Sequence, residues 1–271
     1  MGIFGRINIT RGAVILNMDY SSKKTIMKRI ALFCVSYESD KELDTYLHSV
    51  DVATQIAQKE ISTDIFVAKN TKQDNPGYFG AVRNMMQNMD LDSYDYFIIS
   101  NVDLTMEDHF FLKLADIDFP EDTGWIAPQI WSKKEKRDLN PKLINRYSRK
   151  KLLLLQFIHR FPILHYLYSR TLYSRKRNQD SKPGLIYAGH GSFIILTKEF
   201  IKKCGIIDYP VFLFCEEIYL AELCREVGLN VIYDPRFRID DNEHISTGKM
   251  PVKIYSSLNY KAVSYILKRF Y

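Results

Sequence analysis

Four places in the sequence bring together side chains that can do chemistry. Asn101-Val102-Asp103 follows directly on an apolar run. A carboxylate placed so, beside a second polar group, can hold a divalent cation against phosphate oxygens. Mg2+ takes only one or two protein carboxylates and completes its shell with water and substrate phosphate. The same Asp103 can instead cap a helix beginning near Met106. Glu216 and Glu217 open a helical stretch after the apolar run 210–215. A carboxylate emerging from an apolar wall has a raised pKa and can act as a general base. Two acids in a first turn also simply complement the helix dipole. His190 stands between Gly189 and Gly191, where missing side chains let a ligand approach the backbone, or where the chain makes a tight turn before a strand. His244, in the polar loop 240–247, offers an imidazole to a metal or a phosphate, and reads equally as a surface residue.

The elements that must position these groups follow from hydrophobic patterning. Arg29–Tyr37 is a short apolar run that fits a buried strand. Asp40–Gln58 carries Leu43, Leu47, Val50 and Ile56 at helical spacing. Thr63–Asn70 reads as a second strand, Ala81–Met89 as a helix after Pro76 and Gly77, Tyr94–Ser100 as a third strand and Gly124–Ile130 as a fourth. Strands alternating with helices imply a doubly wound, mostly parallel sheet flanked by helices. Ligands in such sheets bind outside the carboxyl ends of the strands. Ser36, Tyr37, Asn70, Asn101 and Asp103 all fall at those ends. The rhythm breaks over 132–182, where Pro141 and Pro162 act as stops. It resumes with a strand and helix over His190–Gly205, a helix over Cys215–Gly228 and a strand over Asn230–Pro235. These patterns predict one domain over 28–251 with a basic helical insertion at 132–182. An extension at 1–27 precedes it and an amphipathic, basic tail at 252–271 follows it.

Composition narrows the class. The 271 residues are 46% hydrophobic and 26% charged, which excludes a disordered, collagenous or coiled-coil chain. No stretch approaches the length of a membrane span. The first residues lack a secretory apolar run and lack Ser or Thr at position six, so neither a signal peptide nor myristoylation is expected. Met27, just before the first strand, reads as an alternative start to Met1. Cys34, Cys204, Cys215 and Cys224 form no CxxC pair and read as core residues in a reducing cytosol. The net charge of +6 is unevenly placed. The segment 132–182 holds fifteen Lys/Arg against three Asp/Glu, or +12, and leaves −6 for the rest. A basic block on an acidic body points to a polyanionic partner. The block interleaves Leu, Ile, Phe and Tyr between Arg149–Lys151 and Arg175–Arg177, as interfacial segments do, and it reads also as a helical hairpin packed on the body that exposes only its charges. Each basic residue near an anionic surface contributes about 1 kcal/mol. No nucleic-acid-binding motif is present, so an anionic membrane surface is the expected partner.

Taken together and in order, these segments resemble the family 2 inverting glycosyltransferases of GT-A fold, rhamnosyltransferase-like or related members of polysaccharide biosynthesis. The resemblance covers roughly Lys28 to Ser246. IALFCVSYES resembles the opening strand and donor-binding turn, with Ser36, Tyr37 and Glu38. FVAKNTKQDNPGYFGAVRN resembles the "DN-S … N-G-aga-N" segment, with Asn70, Asn75, Gly77, Gly80, Arg83 and Asn84. YDYFIISNVDL resembles the strand leading to a DxD-type motif, and GLIYAGHGSFIILTKEFIKKCGIID the acceptor-side segment, with His190 and Gly191. VFLFCEEIYLAELCREVGLNVIYDP resembles the "fFly-ED-dl--R---G--v-y-P" segment, and HIST the late "H---S" element. Asn101 stands where DxD has its first carboxylate, Asn70 where the family often has Asp, and Tyr219 where the ED-x-D helix has a second acid. Glu217 is one methylene longer than the family's Asp.

The resemblance implies a UDP- or dTDP-sugar donor and a glycan or lipid-linked acceptor. Ser36, Tyr37 and Asn70 would cradle the base and ribose. Asp103, supported by His244, would hold Mg2+ or Mn2+ on the diphosphate. Glu217, with Glu216 as competitor, would deprotonate the acceptor hydroxyl. It implies a cytoplasmic protein peripherally associated with the inner face of the membrane. Two other readings stand beside it. One is a non-catalytic scaffold of the same fold. The other is a nucleotidyltransferase, for which the acidic, glycine-free turn SYESDKE supplies no phosphate loop.

Overall fold

The computed structural model describes residues 27–171, 182–242 and 250–271. The extension expected before Met27, the Arg175–Arg177 triplet and His244 lie outside them. In chain order the strands are β1 (Lys28–Tyr37), β2 (Ile61–Asn70), β3 (Tyr96–Ser100), β4 (Leu104–Met106), β5 (Thr123–Ser132), β6 (Arg137–Asp138), β7 (Gly184–Ile186), β8 (Phe193–Thr197) and β9 (Asn230–Asp241). The helices are α1 (Asp40–Ile56), α2 (Tyr78–Met86), α3 (Phe110–Asp116), α4 (Arg149–Arg160), α5 (Pro162–Thr171), α6 (Lys198–Cys204), α7 (Glu216–Glu226) and α8 (Val252–Phe270).

The main sheet runs β2-β1-β3-β8-β5-β9-β4, with β6 beside β5 and β7 beside β9. Strands β2, β1, β3, β5 and β9 share one direction, while β8 and β4 oppose them. The expected mostly parallel α/β sheet flanked by helices is therefore present. Successive side chains of a strand point to opposite faces. Ala31, Phe33 and Val35 of β1 thus join Phe97, Trp125 and Ile194 in one core with α2, α6, α7 and α8. Ile30, Leu32 and Cys34 join Ile98, Ile126 and Ile195 in a second core with α1 and α3. A strand covered on both faces has no polar alternation, which is why β1 reads as an unbroken apolar run.

Two local expectations change and a third is extended. No helix begins near Met106. Leu104–Met106 is a strand pairing with β9, and α3 starts at Phe110, so Asp103 does not cap a helix. The last strand does not stop at Pro235 but continues to Asp241, and its pairing with β5 shifts register around that proline. Pro162 does stop a helix, since α4 ends at Arg160 with Phe161 extended before it, and it also opens α5, as a residue without an N–H can in a first turn.

The insertion and the C-terminal helix form one layer. Gln156 of α4 donates to Ser264 Oγ of α8 at 2.8 Å, and Ser256 Oγ donates to the His159 carbonyl at 2.6 Å. Both are tied to α7 by Glu222, whose side chain is fully buried. Its carboxylate accepts from Arg146 Nε at 2.6 Å, Arg225 Nε at 2.7 Å, Tyr187 Oη at 2.6 Å and Tyr271 Oη at 3.2 Å. Burial alone would raise the pKa of this carboxyl, but the bonds from Arg146, Tyr187 and Arg225 outweigh it and hold it below its usual range.

Removing one member of a buried ion pair leaves its partners uncompensated. Both arginines keep partial access to solvent, which moderates the cost. Glu222→Ala is expected to lower stability by about 2–3 kcal/mol. Chemical denaturation against the wild type measures it, and an unchanged midpoint would contradict the role given to this carboxylate.

Candidate active site

The carboxyl ends of β1, β2 and β3 meet as expected. Tyr37 and Asn70 are register partners at the ends of β1 and β2. Ser36 and Asn70 are buried, Tyr37 is half-buried and Glu38 is exposed. Glu38 turns the chain with a positive φ of 48° and donates its backbone N–H to the Asn70 carbonyl. Asn70 Nδ2 donates to Asn75 Oδ1 at 3.1 Å, and the same oxygen accepts from Gly77 N at 3.0 Å. This bridge sets the start of α2. Gly77 there has a φ of 85°, and a Cβ on it would lie 2.3 Å from the Phe212 carbonyl oxygen. No other residue type fits.

The antiparallel strand β8 completes the crevice. Because it runs against β3, its beginning lies at the carboxyl end of β3. Asn101 N donates to Ser192 O at 2.9 Å. Gly191 is thereby set among the groups the sequence singled out. Its carbonyl accepts from Tyr78 Oη at 3.0 Å. On its open side lies Glu217, whose Oε1 would be 3.2 Å from a Cβ at position 191. His190 is held by its backbone N–H on Asn140 Oδ1 at 2.7 Å, with its Nδ1 2.9 Å from Ser192 Oγ. Asn140 in turn donates to the Pro128 carbonyl at 2.7 Å, fixing this turn to the middle of β5.

Burial pushes the Tyr78 hydroxyl well above its usual pKa, and Glu216, Cys34, Asp103 and Glu217 add to the rise. One phenol thus feels both Asp103 from the β3 end and the two glutamates from α7.

The two glutamates are not equivalent. Glu216 is buried, and its Oε1 accepts from Phe214 N at 2.9 Å. It braces a turn in which Phe214 and Cys215 both adopt positive φ, 76° and 63°. Burial, then the neighbouring Glu217 charge, raises the Glu216 carboxyl well above the carboxylate range. Glu217 is half-buried and faces Gly191, with Lys142 Nζ 3.7 Å from its Oε1. Burial followed by both glutamates pushes the Cys215 thiol well up, away from the thiolate form.

Asp103 is half-buried beyond the end of β3, and its carbonyl accepts from Asn242 N at 3.0 Å. Asn242 is two residues before His244 in the chain. Among the described residues no group of three His, Cys, Asp or Glu side chains is arranged to hold a metal. The donor present is one hard oxygen, which fits an ion that draws most of its shell from water and phosphate. Arg83 and Asn84 lie elsewhere. They line a groove of about 270 Å³ with Pro76, Gly80 and Tyr209–Phe212, and Arg83 pairs with Asp208 at 3.2 Å. Tyr219 is buried, ringed by Tyr209, Tyr265 and Phe270, with its hydroxyl on the Asp208 carbonyl. It is a packing residue. Tyr78, Lys142 and Asn140 had no signal in the sequence beyond the neighbouring Gly77 and Pro141.

No protein-family model and no curated protein sequence matches the chain. Solved structures do. The crystal structure of GalNAc-T7 with UDP, GalNAc and Mn2+ superposes with a TM-score of 0.52 at 14% identity, over 87% of this chain and 50% of that one. Two structures of the catalytic domain of Drosophila β1,4-galactosyltransferase 7 superpose over 82% of this chain and 67% of theirs, at 14% identity. Their TM-scores are 0.46 for the complex with xylobiose and 0.44 for a mutant with manganese, UDP-Gal and xylobiose. The likeness to GalNAc-T7 shows the GT-A fold, and the chain spans half of that protein's length.

Two outcomes test this geometry. Gly77→Ala combines an unfavourable φ with a backbone clash and is expected to destabilise by about 2 kcal/mol or more; a melting temperature equal to wild type would refute the close approach to Phe212. The folded state holds a proton on Glu216 that the unfolded chain has released above the ordinary carboxylate pKa. Stability should therefore fall as pH rises from about 5 toward neutrality and beyond. Glu216→Gln, which stays neutral, should flatten that fall. Parallel curves for the two proteins would place the carboxyl outside the buried setting.

Proposed function

We propose that the protein is a nucleotide-sugar-dependent glycosyltransferase of the inverting, family 2 type. The observation that carries the reading is the convergence on Gly191. Glu217 faces it from α7, Tyr78 holds its carbonyl, and the Asn101–Asp103 turn lies beside it through Ser192.

The donor diphosphate lies over the carboxyl ends of β1 and β3, with its base and ribose against Ser36, Tyr37 and Asn70. GalNAc-T7 was crystallised with UDP and Mn2+, which supports a uridine-type donor and a divalent ion; dTDP is the alternative base. Asp103, with His244 by resemblance, would hold Mg2+ or Mn2+, and the ion would neutralise diphosphate charge as the leaving group departs. Glu217 takes the proton of the acceptor hydroxyl. That oxygen attacks the anomeric carbon in line, the bond to the phosphate oxygen breaks, and the nucleoside diphosphate leaves with the configuration inverted. Lys142 is the countercharge beside Glu217. Glu216, buried and bonded to Phe214 N, keeps the turn that aims Glu217, and is a positioning residue. Asn140 and Ser192 fix His190 on the acceptor side. A glycan or lipid-linked acceptor of surface polysaccharide synthesis suits the family resemblance.

A thermal-shift panel of UDP, dTDP, GDP and CDP, each with Mn2+, Mg2+ or chelator, tests the donor site. A specific binder raises the melting temperature by mass action. One diphosphate is expected to give a metal-dependent shift that Asp103→Ala abolishes. Glu217→Gln should keep the shift and lower hydrolysis of the matching nucleotide-sugar by about 10²–10⁴-fold, whereas Glu216→Gln should lose far less. No shift with any nucleotide would leave the non-catalytic scaffold as the better reading. Loss of activity in Glu216→Gln alone would exchange the two roles.

A further inference from the structure

The α4–α5 hairpin presents a feature the chemistry does not use. α4 has two apolar faces. One carries Leu152 and His159 and is buried, with Gln156 and the His159 carbonyl bonded to α8. The other points away from the body. Leu153, Leu154 and Phe157 on α4, Phe161 at the bend, and Ile163 and Leu164 on α5 are exposed by 37–76%, Ile163 the most. Single exposed apolar residues are ordinary, but a contiguous group marks an interaction surface.

The hairpin is firmly placed. The Nδ1 atoms of buried His159 and His165 are 2.8 Å apart across the bend, and the His165 ring packs on Tyr255 of α8 at 5.1 Å. The exposed face is therefore a fixed ledge. The hairpin and α8 themselves carry charge of one sign, and the acids that pair Lys142, Arg146 and Arg269 lie on α7. From Lys142 to Thr171 there are seven Lys/Arg and no Asp or Glu, and α8 adds four more Lys/Arg and no acid. Arg149, Lys150 and Arg160 are exposed at the two ends of α4.

We infer that this ledge seats the protein on an anionic lipid bilayer, with the apolar face of α4–α5 in the acyl boundary and Arg149, Lys150 and Arg160 on headgroup phosphates. An amphipathic hairpin with apolar and aromatic side chains on one face and lysines and arginines at its margins is the pattern of helices that lie in the interface plane. Among the described residues no helix is long and apolar enough to cross a membrane, so the contact is one of surface. A second copy of the chain is a poorer occupant. A self-complementary contact would bring the exposed Arg149, Lys150 and Arg160 of two copies together, and neither α4 nor α5 carries an acid to offset them. The seat stands apart from the proposed reaction, since none of its residues touches the crevice.

Sedimentation of the full chain with vesicles of phosphatidylcholine alone, or phosphatidylcholine mixed with phosphatidylglycerol, tests the seat without reference to activity. Binding is expected only to the anionic vesicles and should weaken as salt rises. Phe157→Glu with Ile163→Glu should reduce binding about tenfold or more. Arg149→Glu with Lys150→Glu should reduce it comparably and remove most of the salt dependence. All four positions are exposed, so melting temperatures should match wild type and confirm that the variants fold. No binding to anionic vesicles at low salt would overturn the inference, as would binding indifferent to both pairs. A wild-type dimer in sedimentation velocity, made monomeric by Phe157→Glu with Ile163→Glu and blind to vesicles, would assign the ledge to a second copy instead.

Discussion

The buried carboxylate of Glu222 is the constraint on which the site depends. α7 carries Glu216 and Glu217 in its first turn, yet it begins from a left-handed Cys215 with no side-chain cap. At that end only the Glu216 bond to Phe214 N and the Lys142 contact with Glu217 hold the first turn. What fixes the helix lies a turn and a half further on, where Glu222 collects Arg146, Arg225, Tyr187 and Tyr271. A fully buried carboxylate is costly unless all its lone pairs are used, and here four donors use them. Two of those donors, Arg146 and Tyr187, come from the chain that leaves and rejoins the sheet on either side of the basic hairpin, and a third is the C-terminal residue. The insertion that breaks the β/α rhythm is thus part of the frame that aims α7. Lys142, four residues before Arg146, reaches the other end of the same helix at Glu217.

The second constraint is close approach. Two glycines are placed where a side chain would push functional backbone apart. Gly77 lets the start of α2 touch the Phe212 carbonyl, and that contact lodges the 206–215 loop against the site. Gly191 leaves room for Glu217 beside the beginning of β8. Reversing β8 between the co-directional β3 and β5 is what makes the second approach possible. A parallel strand in that position would deliver its end, not its beginning, to the crevice.

These points decide what was legible beforehand. β1 and β3 announce themselves because a strand buried on both faces needs a run of apolar residues whatever its neighbours, while β2, at the sheet edge with Ile65 and Val67 exposed, is legible from its β-branched and aromatic residues; the polar Ser36, Asn70 and Asn101 mark where the apolar runs end. The direction of β8 has no local signature, since Phe193–Thr197 is equally apolar either way. β4 has only three residues, and its identity as a strand comes from pairing with Asp240 and Asp241 more than a hundred residues later. For the same reason Asp103 read equally well as a cap. Arg83 and Asn84 sit in the family-like segment, but the turn of α2 carries them onto the groove beside Asp208 rather than the strand ends. Lys142 is one of many basic residues in its stretch, and only the folded chain separates it from the others.

The places where the sequence departs from the pattern it resembles also have physical causes. Tyr219 stands where a second acid is common. In this chain that position turns into the ring cluster of Tyr209, Tyr265 and Phe270, and its hydroxyl ties down Asp208 in the loop that meets Gly77. An acid there would be a buried charge without a partner in an aromatic wall. Tyr219 therefore serves a helix–helix contact to α8. Glu217 reaches the same side of α7 as the groups around Gly191 with one methylene more, and Gly191 supplies the space that the longer side chain occupies. Asn101 keeps a polar side chain at the mouth while its backbone N–H bonds Ser192, so the turn that presents Asp103 is set by the backbone. A site whose aim is fixed by backbone pairing and by Glu222 tolerates changes of charge at its rim, and that tolerance explains how this chain can depart from the pattern at 101 and 219 and still bring Asp103, Tyr78 and Glu217 to one place.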